Sequence, residues 1–130
     1  MKVNQWFKAF FVTIGIYDVL LGGVFLFFYK GIYTVLNITL PNHPGYIYVP
    51  ALFLVSAGIG EFFIARDLLR NIDLAIVRLL MKLSFAGVIF YLYFTSGIPA
   101  VYLLISSASI LGVIINVLFI RWAKSSGANA

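Results

Sequence analysis

Four apolar stretches of about twenty residues each, separated by short polar or turn-forming segments, constrain this chain more than anything else in it. They cover residues 9–29, 46–65, 74–95 and 98–120. An α-helix needs about 20 mostly apolar residues to cross the hydrocarbon of a bilayer, because it rises only about 1.5 Å per residue. Inside lipid every backbone N–H and C=O must be satisfied within the segment, so an isolated apolar run of this length is read as a helix. The sequence therefore predicts an all-α, polytopic membrane protein: a single domain folded as an antiparallel bundle of four transmembrane helices. Composition agrees. Charged residues make up 10% of the chain and hydrophobic ones 63%, against about 25% charged in a soluble domain.

The breaks between runs carry turn chemistry. Pro41, Asn42, Pro44 and Gly45 interrupt the chain before the second span. Asp73 is placed to cap the third span, and Arg66 and Arg70 suit the negative end of the second. Ser96, Gly97 and Pro99 form a tight link into the fourth span, with Pro99 expected in its first turn. Segment 31–40 is apolar for a loop. Ile32, Val35, Leu36 and Ile38 fit one face of a short interfacial helix between the first two spans. The small, polar residues 124–130 read as a disordered tail.

An even number of spans puts both termini on one side. That side carries Lys2, Lys8, Arg66, Arg70, Arg121 and Lys124, and the other only Lys30. Basic residues accumulate on the cytoplasmic face, so both termini are placed there, in a multi-pass protein of the cell (plasma) membrane. Trp6 and Trp122 mark the inner interface. Tyr29, Tyr33, Tyr46, Tyr48, Tyr93 and Tyr102 mark the outer one, where amphipathic rings sit at headgroup level. The formal net charge of +5 follows from this distribution and does not point to nucleic acid.

Several chemistries are excluded. The chain has no cysteine, hence no disulfide, thiolate metal site or cysteine nucleophile. One histidine, His43, builds no multi-histidine metal or haem site by itself. No phosphate-binding loop, G-x-S-x-G turn, H-E-x-x-H helix or G-x-G-x-x-G turn occurs. The sequence thus nominates no catalytic residue, no metal ligand and no cofactor.

It does place four ionisable residues inside the spans: Asp18, Glu61, Arg78 and Lys82. Such groups cost several kcal/mol in hydrocarbon unless they face inward and pair. Depth counted along the chain puts Asp18 level with Lys82 near the bilayer middle, and Glu61 level with Arg78 one layer nearer the cytoplasm. Arg78 and Lys82, spaced i, i+4, share a face, so the crossed pairing stays open. Matching stripes occur on the other spans: Gly15, Asp18 and Gly22; Gly58, Glu61 and Ala65; Ser109, Gly112 and Asn116. Small residues let helices approach closely and polar ones bond across the interface. The candidate core for a ligand or for ion pairing is therefore Asp18, Glu61, Arg78, Lys82, Ser109 and Asn116.

Gly58-Ile59-Gly60, then Ala65-Arg66-Asp67-Leu68-Leu69-Arg70-Asn71, then Lys82 in the next span, resemble a group of small bacterial four-helix membrane proteins that are loosely DoxX-like. In that group a glycine-bearing helix runs into A-x-D-P-x-R-H/N and a lysine follows in the third helix. The Pro41–Pro44 element fits as well. Leu68 stands where the group usually has proline, and Arg78 where a small residue is usual. The resemblance implies the four-helix membrane fold and gives weight to Lys82; the group's association with membrane quinone chemistry makes a redox-associated subunit a further reading. Small multidrug transporters are similar in length and in an acidic residue in the first span, like Asp18. They carry no cations matching Arg78 and Lys82.

Two functional readings stay open. The first is a non-enzymatic membrane module that sits among membrane lipids and binds a lipid, a quinone-like molecule or a larger membrane complex. The second is a proton- or ion-coupled small transporter acting as a homodimer, since four helices alone enclose little room for a pathway.

Overall fold

A computed structural model describes residues 2–126. It contains four helices: α1 (Val3–Val35), α2 (Gly45–Arg66), α3 (Ile72–Ser96) and α4 (Val101–Ser125). Each is long and apolar enough to cross a membrane. The chain divides into two compact units, the first ending at Arg66 and the second beginning at Asp67. Each unit is one pair of adjacent helices.

In the first unit α1 and α2 run antiparallel and meet along glycines. A Cβ placed on Gly15 would lie 2.9 Å from the Gly58 carbonyl oxygen, and one placed on Gly22 would lie 2.7 Å from that of Ala51. Backbones come this close only where side chains are missing, which is why the small-residue stripe of α1 lies on that of α2. The helices begin and end for local reasons. The Lys2 N–H donates to Gln5 Oε1 at 3.1 Å, satisfying a donor at the start of α1. At its end, Asn37 takes a left-handed φ of 54°. There the Ile38 N–H donates to the Tyr33 oxygen at 2.9 Å and the Asn37 N–H to that of Thr34 at 3.1 Å, the two bonds of a Schellman stop. Arg66 lies in the last turn of α2, where its cation meets the negative helix end and sits 5.7 Å from the Phe63 ring.

α1 is longer than the sequence predicts. The first span was expected to end near Tyr29; the helix instead continues to Val35 through a kink at Phe28, whose φ and ψ are −129° and 17°. The expected interfacial helix is therefore the last part of α1, and only the residues after Val35 form the loop.

In the second unit α3 and α4 also run antiparallel, since Ala75 meets Asn116 and Lys82 meets Gly112. Ahead of α3, Asp67 builds the turn: its carboxylate accepts from the Arg70 N–H at 3.3 Å, and its carbonyl accepts from Asn71 Nδ2 at 2.9 Å. The N-cap position is Asn71, and Asp73 falls in the first turn instead of at the cap. There it faces the positive helix end as a charge and not as a capping side chain. α3 stops at Gly97, which adopts a left-handed φ of 64°, the usual role of glycine at a helix C-terminus. Pro99 lies before α4 and not in its first turn; its carbonyl accepts the Tyr102 N–H at 3.1 Å. At the other end α4 runs to Ser125, so Lys124 and Ser125 are helical where a disordered tail was expected. Residues 127–130 of that expected tail lie outside the described residues.

Candidate functional site

All four ionisable residues of the spans are buried. Asp18 is 6% exposed, Glu61 0%, Arg78 5% and Lys82 8%. Each takes part in a polar or electrostatic interaction. The units divide them by sign. Both carboxyl groups belong to the α1–α2 unit and both basic groups to the α3–α4 unit.

In the first unit the glycine seam positions the acids. A Cβ on Gly58 would lie 2.8 Å from the Gly15 carbonyl oxygen and 3.0 Å from Asp18 Cβ. Asp18 is thus set against the backbone of α2 at Gly58. Glu61 follows Gly58 by three residues, the spacing that keeps two positions on one helix face. The stripes Gly15, Asp18, Gly22 and Gly58, Glu61, Ala65 are all buried, as their spacing predicts.

In the second unit the basic groups lie on the buried face of α3, with Ala75, Ala86 and Ile89 along the same stripe. The aliphatic stem of Lys82 lies over Gly112: a Cβ there would be 3.4 Å from both its Cδ and its Cε. Arg78 Nη1 approaches Met81 Sδ at 3.5 Å. Asn116 is fully buried and its Nδ2 donates to the Ala75 carbonyl oxygen at 3.4 Å. An asparagine amide brings two donors and an acceptor. Among the described residues nothing hydrogen-bonds Asn116 Oδ1, nor Ser106 Oγ, and both atoms are buried. Leaving such a group unsatisfied costs about 1–3 kcal/mol.

One expected site residue is displaced. Ser109 is only half-buried, and its hydroxyl turns back to the Ile105 carbonyl oxygen at 3.4 Å. Ser106, one turn earlier and outside the predicted stripe, is fully buried. Asp18, Glu61, Arg78, Lys82 and Asn116 are all buried, as predicted.

Chemically, the described residues offer two acids held at a close helix contact, two bases on one helical stripe, and two buried polar atoms with spare hydrogen-bonding capacity. Among them no group of three or more His, Cys, Asp or Glu is placed to hold a metal ion. Neither a protein-family model, nor a curated protein, nor a solved structure matches the chain.

Proposed function

We propose that this protein is a non-enzymatic membrane module whose buried polar residues engage the head group of an amphipathic ligand, a lipid or a quinone-like molecule, or a complementary group of a larger membrane complex. The observation that carries the reading is the burial of Asp18, Glu61, Arg78 and Lys82 within helices of membrane-spanning length. Ionisable residues at such positions are costly, and they are by default candidates for a binding or transport site. The spare capacity of Asn116 Oδ1 and Ser106 Oγ adds to it, because a polar head group supplies what these atoms lack. The likeness of residues 58–82 to DoxX-like proteins is consistent with a quinone-like ligand and singles out Lys82.

Native mass spectrometry after mild detergent extraction tests the reading. The expected result is a chain that retains a lipid, a quinone-like molecule or a partner protein through purification. A bare chain under conditions that preserve its helical content overturns it.

The same proposal sets the protein in the cell membrane with both termini in the cytoplasm, from the bias of Lys2, Lys8, Arg66, Arg70, Arg121 and Lys124 against Lys30. Single cysteines report this cleanly because the chain has none. A cysteine at Asn71 or Ser125 should react with an impermeant thiol reagent only from the cytoplasmic side, and one at Asn42 only from outside. The reverse pattern inverts the topology.

A further inference from the structure

A half-open groove lies beside the kink at Phe28 on the α1–α2 unit, at the end opposite Lys8 and Arg66. Its volume is about 370 Å³, open to the surface on one side, and it is lined by Leu26, Phe27, Tyr29, Lys30, Gly31 and Tyr48 among others. This volume falls within the range of small-molecule clefts, about 300–1,000 Å³. Its walls change character over a few residues. Phe27 and Phe28 are exposed, at 78% and 67%, and give an apolar lower edge. Tyr29 meets Tyr48 edge to face, with ring centroids 5.7 Å apart, and Tyr33 at 6.5 Å. Lys30 is exposed at the upper edge, and nothing lies within 4 Å of where a Gly31 Cβ would be.

We propose that this groove binds one anionic phospholipid, its phosphate at Lys30 and an acyl chain along Phe27 and Phe28. Charge complementarity selects the occupant. Lys30 is the only Asp, Glu, Lys or Arg between Asp18 and Glu61, so the groove presents one cation and no carboxylate. The apolar-to-charged gradient fits an amphipathic molecule and not a free anion. Paired tyrosines place that gradient at headgroup depth, where such rings settle. Lys30 is exposed two residues after the kink at Phe28. This site involves none of the buried charges and does not depend on the function proposed for them.

The test uses the full chain in nanodiscs of equal phosphatidylglycerol and phosphatidylcholine with matched acyl chains, followed by native mass spectrometry of the retained lipid. The unaltered chain should retain phosphatidylglycerol in preference, with Lys30 accounting for about fivefold of the ratio, the factor corresponding to about 1 kcal/mol per basic residue near an anionic headgroup layer. Lys30→Gln should lower the ratio about fivefold and Lys30→Arg should keep it. Thermal unfolding followed by circular dichroism checks that each variant is folded. An unchanged ratio in Lys30→Gln overturns the proposal. So does displacement of the lipid by excess inorganic phosphate, which would identify a simple anion site.

Discussion

Gly58→Leu is expected to prevent the α1–α2 hairpin from closing in its native form. Even a methyl group at Gly58 would lie 2.8 Å from the Gly15 carbonyl oxygen and 2.8 Å from Val19 Cγ2. The first of these neighbours is backbone, so it yields only if the two helices separate. Overpacking a close contact typically costs about 1–3 kcal/mol, and occasionally more. Separation here would also lift Asp18 from its place against α2. Gly58→Ala should therefore destabilise the detergent-solubilised protein measurably, and Gly58→Leu should leave it largely unfolded or aggregated. Gly23→Ala and Gly87→Ala provide the contrast. Nothing lies within 4 Å of a Cβ at either position, and a helical glycine replaced by alanine gains up to about 1 kcal/mol from reduced backbone entropy. Both should be neutral or stabilising. Thermal unfolding monitored by circular dichroism reads all four variants. Gly58→Leu melting with the native protein would show that the seam is not a close contact in the membrane-extracted state.

The seam was legible in the sequence because two physical demands coincide on it. Glycines and alanines at i, i+3, i+4 spacing mark where helices approach, and an acid in a hydrophobic span has nowhere to go but inward. Gly15, Asp18, Gly22, Gly58 and Glu61 satisfy both, and all are buried. Helix ends were less legible. Counting apolar residues measures a span against the bilayer, not a helix, and nothing between Tyr29 and Val35 stops α1 until Asn37 reverses the chain. Pro99 illustrates the same weakness: proline tolerates a first turn but does not require one, and here it precedes the helix. Ser106 was missed for a rotational reason. At about 100° per residue, Ser109 lies about 20° from Asn116 around α4 and Ser106 about 80° away. A straight-helix projection therefore selects Ser109. The structure instead buries Ser106 and leaves Ser109 half-buried. Serine adds little hydropathy of its own to correct the projection.

Asp18→Asn and Lys82→Met should each destabilise the protein by about 3–5 kcal/mol, the usual cost of leaving one buried charge uncompensated. The expectation follows from burial and sign. Asp18 and Glu61 are buried in the α1–α2 unit, and Arg78 and Lys82 in the α3–α4 unit. Matched depth along the chain proposes Asp18 as the counterpart of Lys82, and Glu61 as that of Arg78. If so, the double variant Asp18→Asn with Lys82→Met should recover much of the loss, because replacing both members of a buried pair with uncharged groups is often nearly neutral. Four double-mutant cycles, joining each acid to each base, separate this assignment from the crossed one, since both bases share a face of α3. The same double variant addresses function. Retained ligand or partner at native level, together with recovered stability, would make the pair a device for fixing helix register. Recovered stability with loss of the co-purifying ligand would make it the binding group. Reconstituted vesicles bear on the transport reading: a proton or ion flux present in the native protein and lost in Asp18→Asn would favour a coupled homodimeric transporter over a binding module. Strict additivity of Asp18→Asn and Lys82→Met, with coupling confined to the other combinations, would show that depth along the chain had assigned the wrong counterparts.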